Sequence, residues 1–395
     1  VGFSHFVSLG NKADLNEIDF IEAWREDPHS RVIMAYLEGI TDGTRFMRVA
    51  REVTKHKPII AIKSGTTSAG SRAVSSHTGT LAGSERAYEA AFSQTGIIRA
   101  NSVQDLFDYS VAFARQPPLT TNRIAIVTNA GGPGIMATDA CERAGLQLAS
   151  LERATLDTLR EILPPEASTL NPVDVLGDAS SERYGRALEV VLKDANVGGV
   201  IAIIAPQVMT NAVEIAKATG ELSTRYDKPI LACFMGEPAV AAGIEILHQY
   251  RVPNYPVPER AVAAMAAMMR YTQWLETPPL EIEEFEFDVE AIRRVFDQVR
   301  AEGRLSIGDA EAREVMKACG IPVPASALAT SPDEAVAYAE EIGYPVVMKI
   351  ASPDILHKTD IGGVRLNVGD ATAVRDTFDL LVYRATRYMP EAQIW

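Results

Sequence analysis

The sequence has little of what would mark a secreted, a membrane-spanning or a nucleic-acid-binding protein. Its three cysteines, Cys141, Cys233 and Cys319, lie far apart and match neither a metal-ligand spacing nor a disulfide framework. No apolar run reaches the roughly 18 residues that a transmembrane helix needs. Basic residues are outnumbered, 38 against 52 acidic ones, so the formal net charge is −14, whereas nucleic-acid-binding proteins carry basic surfaces. We therefore expect a cytoplasmic protein whose partners are neither membranes nor nucleic acids.

What the chain does contain is typical of a globular protein with several domains. Apolar residues make up 47% of the 395 residues and charged residues 23%. At about 100–200 residues per domain, this length corresponds to roughly two to four domains. Short apolar runs such as Arg31–Leu37 and Gly199–Ala205 alternate with stretches of helical periodicity. Such alternation predicts an α/β fold built on doubly wound parallel sheets.

Changes in composition divide the chain into four segments. Residues 1–116 and 117–274 are each predicted to form one α/β unit. Residues 275–290 carry seven acidic side chains and no basic one, which is consistent either with an extended segment docked at a sheet edge or with a solvated linker. Residues 291–395 form a third unit. Because Val1 lies within strand-like sequence, we expect the chain to be truncated there.

The most informative stretch is the connection over residues 63–84, which is rich in glycine, serine and threonine. Long connections in compact domains are usually functional. His77 lies near its centre and is followed by Gly79. An imidazole can accept a phosphoryl group when its second nitrogen is fixed by a hydrogen bond. The spacing alone also fits an ordinary surface or core histidine.

Glu38 is the best candidate for fixing that second nitrogen. It directly follows the predicted strand at 32–37. Ligands collect at the carboxyl ends of parallel strands, and Lys63 and the His77 connection follow the next strand, so all three should reach one edge of the sheet. The alternative is a solvated charge at a strand end.

A second glycine-rich turn, Asn129–Gly134, joins a predicted strand to a helix expected from Ile135. Its glycines, Gly131, Gly132 and Gly134, allow backbone N–H groups at a helix start to approach an anion. A phosphate or phosphohistidine site fits this turn better than a dinucleotide site, and a tight structural turn is the alternative. Asn171–Asp174 is interpreted as a brace for a loop.

Lys349 lies in the third unit within the apolar run 346–350, where a strand is predicted. A lysine in a buried strand is costly unless it meets an anion, and a nucleotide phosphate would supply one. His357 follows eight residues later, before Gly362 and Gly363. An exposed loop histidine is the alternative for His357.

Taken together, these motifs resemble the NDP-forming acyl-CoA synthetases, also called ADP-forming acetate–CoA ligases, which are relatives of succinyl-CoA synthetase. The resemblance covers nearly the whole chain. It rests on Tyr36-Leu37-Glu38-Gly39, Lys63-Ser64-Gly65, Ser76-His77-Thr78-Gly79, Leu81-Ala82-Gly83, Asn129 to Gly134, Asn171 to Asp174, and Gly343-Tyr344-Pro345 to Gly363. It implies two tandem flavodoxin-like domains followed by the N-terminal part of an ATP-grasp domain.

The resemblance also implies a reaction and residue roles. Acyl-CoA, ADP and phosphate are interconverted with carboxylic acid, CoA and ATP through an acyl phosphate and a phosphohistidine. His77 matches the phosphorylated histidine and Glu38 the carboxylate that holds it. Gly79 and the turn with Gly131, Gly132 and Gly134 match phosphate-binding positions. Lys349 matches the nucleotide-binding lysine, and His357 matches a candidate second phosphate carrier.

The expected ligands are a carboxylic acid, CoA, ATP or ADP and Mg²⁺, and the expected assembly is a homodimer or an α2β2-type complex. The family's CoA-binding domain and its Mg²⁺ carboxylates are expected outside this chain, which looks truncated at both ends, so we predict no metal site within it. One rival function is a non-catalytic, ligand-sensing region of a protein lysine acetyltransferase. The presence of both His77 and Glu38 favours the enzyme.

Overall fold

A computed structural model describes residues 2–10, 12, 14–67, 85–278, 285–355 and 357–394. His77 and Gly79 lie outside these residues. The chain divides into two compact units, residues 1–279 and 280–395. Within the described ranges, no helix is long and apolar enough to cross a membrane.

The first sheet contains three parallel strands in sequential order. Successive residues of its central strand face opposite cores: Ile59 packs with Phe46 and Phe92, whereas Ile60 packs with Leu106. Helices therefore cover both faces, as predicted for this fold class. The elements are β1 (Ile33–Leu37), β2 (Ile59–Lys63), β3 (Ile98–Ala100), α1 (Glu17–Ala23), α2 (Gly43–Thr54), α3 (Glu85–Thr95) and α4 (Val103–Arg115).

The second sheet is also parallel, in the order β5-β4-β7-β8, with β6 pairing to the end of β4. All residues of β7 and β8 are buried, which explains their uninterrupted apolar sequences. The elements are β4 (Arg123–Thr128), β5 (Gln147–Leu148), β6 (Val173–Asp174), β7 (Gly199–Ile204), β8 (Ile230–Phe234), α5 (Gly131–Arg143), α6 (Arg153–Ile162), α7 (Ser181–Lys193), α8 (Ala212–Arg225), α9 (Glu237–Gln249) and α10 (Pro258–Glu276).

Helix α10 joins the two sheets into one unit. Its alanines and methionines are buried in a core that also contains Ile60 of the first sheet and Ile124 of the second. One ion pair crosses this junction: Arg260 on α10 donates to both carboxylate oxygens of Asp108 on α4, at 2.6 and 2.7 Å. Asp108 is 7% exposed, so removal of either partner would leave the other with an uncompensated charge at a largely buried position.

We expect Asp108→Asn to destabilise the first unit. The substitution leaves the guanidinium of Arg260 without its carboxylate, and losing charge-assisted hydrogen bonds of this kind costs about 2–3 kcal/mol. Urea unfolding measures the change in the free energy of unfolding. Asp227→Asn is the matched control, because Asp227 is exposed. Equal stability of the two variants would contradict the assigned role of the Asp108–Arg260 pair.

The second unit has a two-stranded antiparallel sheet, β9 (Val346–Lys349) and β10 (Val364–Val368). Its helices are α11 (Val289–Ala301), α12 (Asp309–Ala318), α13 (Pro332–Ile342) and α14 (Ala371–Tyr388). Ser331 caps α13 as the sequence predicts, because its hydroxyl accepts a hydrogen bond from the backbone N–H of Glu334 at 3.2 Å.

The acidic segment is described only at its two ends. Residues 285–288 form no strand, and Phe285 and Phe287 are 70% and 53% exposed. Of the two alternatives that the sequence leaves open for this segment, the solvated one therefore fits residues 285–288. Aromatic side chains that alternate with acidic ones are left in solvent here, since no neighbouring strand covers them.

Candidate functional site

Glu38 and Lys63 lie side by side at the carboxyl edge of the first sheet. Leu37, the last residue of β1, pairs in register with Lys63, the last residue of β2. Beyond the strands, the backbone N–H of Ser64 donates to the carbonyl of Leu37 at 3.0 Å. Glu38 is half-buried at this edge. The expectation that Glu38 and Lys63 reach one edge is confirmed.

Lys63 is a buried cation that the sequence did not single out as a site residue. It is 5% exposed, its Nζ donates to the carbonyl of Ser64, and it lies 4.8 Å from the ring centre of Tyr88. Burial lowers the pKa of Lys63, while the nearby carboxylates of Glu85 and Glu38 act in the opposite direction. This edge thus combines a desolvated ammonium with flanking carboxylates, and such an ammonium favours anions.

The connection that carries His77 and Gly79 leaves and re-enters the described chain at this same edge. It leaves after β2, whose last residue is Lys63, and it returns at Glu85, the first residue of α3, which acts electrostatically on Lys63. The hydroxyl of Tyr88, one turn further along α3, accepts a hydrogen bond from the backbone N–H of Ile40 at 3.0 Å. Helix α3 is thereby tied to the chain just beyond Glu38.

The second glycine-rich turn forms the first turn of α5 at the carboxyl end of β4. The helix begins at Gly131, so the expected start at Ile135 is wrong. Proline is tolerated in the first turn of a helix, and a glycine suits position 134, because a Cβ there would lie 3.1 Å from Cγ2 of Thr128. The first backbone N–H groups of a helix have no partner within it. Gly131 and Gly132 therefore lie where an anion can be bound.

Two asparagine amides hold the loops around that helix start. The amide of Asn129 donates to the carbonyl of Ala205 at 2.9 Å and accepts from its N–H at 2.8 Å, which extends the pairing of β4 with β7. The amide of Asn171 accepts from the N–H of Ile126 at 3.0 Å and donates to the carbonyl of Ile124 at 2.9 Å. The interpretation of Asn171 as a brace is confirmed.

The second unit contains a cavity of about 690 Å³. Four of the six charged residues in its wall are basic, although the whole chain is acidic, and we call it the basic cavity. Apolar side chains of β9 and α14, such as Met348 and Leu381, line the rest. A concave site that combines apolar surface with convergent charge is typical of a small-molecule site. The charged residues in the wall are Arg313, Lys317, Lys349 and Lys358 against Asp309 and Glu314.

Lys349 lies at the end of β9 in the wall of this cavity, but it is not buried. Its side chain is 35% exposed, so the expectation of a buried strand is wrong. Among the residues that the structure describes, its sheet has two strands, and Val347 on the same strand is 54% exposed. The sequence predicts an anion beside Lys349, and in the structure this anion is a carboxylate. Nζ of Lys349 lies 3.1 and 3.2 Å from the two oxygens of Asp309.

His357 is exposed in the turn before β10. Its neighbour Lys358 lines the cavity, and the carbonyl of Lys358 accepts a hydrogen bond from the N–H of Gly363 at 2.7 Å. Among the residues described, no group of three or more His, Cys, Asp or Glu side chains is arranged to hold a metal ion.

Family models match three consecutive parts of the chain. Residues 1–113 match the succinyl-CoA ligase-like flavodoxin domain, residues 124–277 the ligase-CoA domain, and residues 298–395 an ATP-grasp domain. These matches confirm the predicted fold class.

The chain is also similar in sequence to individual ADP-forming CoA ligases. The chain is 41% identical to the 4-hydroxybutyrate–CoA ligase (ADP-forming) of Nitrosopumilus maritimus, over the whole chain and 57% of that protein. It is 42% identical to the alpha subunit of acetate–CoA ligase (ADP-forming) II of Pyrococcus furiosus, over 68% of the chain and 60% of that protein.

A solved structure is also similar. It is an acetyl-coenzyme A synthetase 1 of Ca. Korarchaeum cryptofilum in complex with phosphate and ADP, 37% identical with a TM-score of 0.65, over 68% of this chain and 59% of that one. The chain thus spans a little over half the length of each of these relatives. The chain therefore carries, in this order, the succinyl-CoA ligase-like flavodoxin, ligase-CoA and ATP-grasp domains, and it is similar to ADP-forming acyl-CoA ligases along its whole length.

Proposed function

We propose that the full-length protein is an acid–thiol ligase that interconverts acyl-CoA, ADP and phosphate with carboxylic acid, CoA and ATP. The observation that carries this proposal is the edge of the first sheet, where Glu38, the buried Lys63 and both ends of the His77 connection come together. The relatives named above act on different acids, so the proposed substrate is a small carboxylic acid as a class.

The first half-reaction forms the phosphohistidine. A phosphate oxygen attacks the thioester carbonyl, CoA leaves as the thiol, and an acyl phosphate results. A ring nitrogen of His77 then attacks the phosphorus, and the carboxylate leaves. We propose that Glu38 accepts the N–H of the other ring nitrogen and stabilises the positive imidazolium that forms. Lys63 and the backbone at Gly79 hold the phosphoryl oxygens during this transfer.

The second half-reaction uses the nucleotide. The terminal phosphate of ADP attacks the phosphohistidine, which releases the neutral imidazole and yields ATP. We propose that the start of α5, at Gly131, Gly132 and Gly134, holds the phosphohistidine and that Lys349 binds nucleotide phosphates in the basic cavity. His357 is proposed as a second phosphate carrier. Mg²⁺ would neutralise nucleotide charge, and we assign it no ligand among the described residues.

The domain limits and the assembly are also proposals. We assign residues 1–116 and 117–274 to the two flavodoxin-like domains, 275–290 to the linker and 291–395 to the ATP-grasp part. The Pyrococcus relative is named as an alpha subunit, which supports a multi-subunit assembly, either a homodimer or an α2β2-type complex. We propose the cytoplasm as its location, where its substrates are found.

The test is turnover by the full-length protein. Purified protein is mixed with acetyl-CoA, phosphate and ADP, and the release of free CoA and the formation of ATP are followed together. Equal amounts of both products, dependent on phosphate, support the ligase. Binding of acyl-CoA without formation of ATP, across a panel of acyl groups, would support the ligand-sensing function instead.

We expect Glu38→Gln to slow phosphorylation of His77 by one to several orders of magnitude. The amide retains the size and one acceptor but loses the charge that stabilises the imidazolium, and loss of an orienting or proton-accepting group costs about 10²–10⁴-fold. The affinity for ADP should stay unchanged. Rapid-quench labelling with ³²P-phosphate and acetyl-CoA measures the rate.

Glu85→Gln is the matched control for Glu38→Gln. It removes the other carboxylate that acts on Lys63, although Glu85 also pairs with Arg99. If both variants slow labelling equally, the effect arises from the charge of Lys63, and the direct role of Glu38 is wrong.

A further inference from the structure

The ammonium of Lys349 is already paired with a carboxylate of the protein. Two of its three donors are directed to the two oxygens of Asp309, at 3.1 and 3.2 Å. Asp309 is shared, because Oδ2 also accepts from Nε of Arg313 at 3.1 Å. All three side chains line the basic cavity of the second unit. A ligand phosphate that binds Lys349 must therefore compete with a carboxylate.

The helix that carries Asp309 does not need its carboxylate as a cap. At the start of α12, the backbone N–H of Gly308 is satisfied by the side chain of Glu311, which Arg304 holds in turn. Asp309 is the first residue of the helix, and its oxygens are directed to Lys349 and Arg313 instead. Although burial opposes it, hydrogen bonds from Arg313 and Lys349 hold the pKa of Asp309 below its ordinary value, so Asp309 is ionised at neutral pH.

Lys349, Asp309 and Arg313 can exchange partners without leaving any of the three side chains unpaired. If a phosphate takes over the ammonium of Lys349, Asp309 still keeps Arg313, which is anchored independently by donation from Nη1 to the carbonyl of Pro324 at 3.3 Å. The side chain of Asp309 is also 49% exposed, so water solvates the oxygen that loses the ammonium, and a pair this exposed is weak enough to be exchanged. Arg313 therefore lowers the cost of releasing Lys349.

We propose that Asp309 is a positioning residue that pairs with the ammonium of Lys349 while the cavity is empty. When a nucleotide phosphate binds Lys349, Asp309 loses this contact and keeps its ion pair with Arg313. The proposal rests on the proposed nucleotide site. It adds a determinant of affinity to that site, because a stronger Asp309–Lys349 pair would weaken the binding of the nucleotide.

The test is the affinity of the full-length protein for ADP, measured by isothermal titration. In Asp309→Asn the ammonium no longer has to leave a carboxylate in order to bind a phosphate. We expect the Kd for ADP to fall about two- to fivefold, the size of a partly exposed charge pair. Asp309→Glu keeps the charge and should stay near the wild-type Kd. A merely structural carboxylate predicts weaker binding for Asp309→Asn or no change.

Two further variants separate this exchange from general electrostatics. Glu314→Gln removes a charge from the same wall, where Glu314 is exposed, and should change the Kd less than twofold. Arg313→Met should weaken ADP binding in the wild-type background but have no effect beside Asp309→Asn. An equal gain from Glu314→Gln, or the same loss from Arg313→Met in both backgrounds, overturns the proposal.

Failure of the proposed function gives a different result from failure of the Asp309 proposal. If the wild-type protein shows no saturable binding of ADP, both the nucleotide site and the counter-ion fail. If the wild-type protein binds ADP and Asp309→Asn does not bind it more tightly, the nucleotide site stands and only the role of Asp309 is wrong. Lys349→Met with Asp309→Asn should show no gain over Lys349→Met alone, and a gain there would also overturn the proposal.

Discussion

His77→Asn should abolish the acid-labile phosphorylation of the protein by acetyl-CoA and phosphate. Asparagine has no ring nitrogen that can attack the acyl phosphate, so no phosphoenzyme forms from this side of the reaction. Removing a nucleophile of this kind costs about 10⁴-fold or more in turnover. Incubation with acetyl-CoA and ³²P-phosphate, followed by acid and alkali treatment, measures the label. Unchanged labelling would remove His77 from the mechanism.

His357→Asn is the matched control for that experiment. His357 is the exposed histidine of the second unit, and its substitution should leave phosphorylation from acetyl-CoA and phosphate intact. If His357 is a second phosphate carrier, this variant should still form the label but transfer it slowly to ADP. Loss of all labelling in His357→Asn as well would indicate a general defect, which unfolding curves of both variants would reveal.

Much of the fold follows from local signals in the sequence. Helix α4 has the amphipathic pattern of a surface helix over Val103–Arg115, and Ser102 caps it, because its hydroxyl accepts from the N–H of Asp105 at 3.0 Å. The apolar run Gly199–Ala205 matches β7 to within one residue, since a parallel strand buried on both faces has no polar interruption. The adjacency of Glu38 and Lys63 followed from strand order alone.

The errors occurred where tertiary contacts override local preference. Gly131–Gly134 has the composition of a loop but forms the first turn of α5, where proline is tolerated and where Gly134 leaves room for Thr128. Lys349 was predicted to be buried because its neighbours are apolar, yet a two-stranded sheet leaves every second side chain of β9 exposed. Its partner Asp309 lies 40 residues away along the chain, and no short-range pattern contains such a contact.

Lys349→Met should weaken the binding of ADP and ATP without unfolding the protein. Methionine retains most of the apolar stem and removes the ammonium. Loss of a charge-assisted contact to phosphate costs about 1–3 kcal/mol, or roughly five- to 150-fold in Kd. The side chain is 35% exposed, so the core of the second unit should tolerate the change. Isothermal titration of the full-length protein with both nucleotides measures the loss.

The two half-reactions should respond differently to Lys349→Met. Phosphorylation of His77 from acetyl-CoA and phosphate uses no nucleotide, so it should proceed at the wild-type rate, whereas transfer of the label to ADP should slow. Equal loss of both half-reactions would indicate misfolding or a structural lysine. Loss of neither would mean that β9 does not contribute to nucleotide binding, and the assignment of the basic cavity to ADP would be wrong. His77 and Lys349 belong to separate units of the chain. The different response of the two half-reactions therefore tests whether the first unit carries the phosphorylated histidine and the second binds the nucleotide.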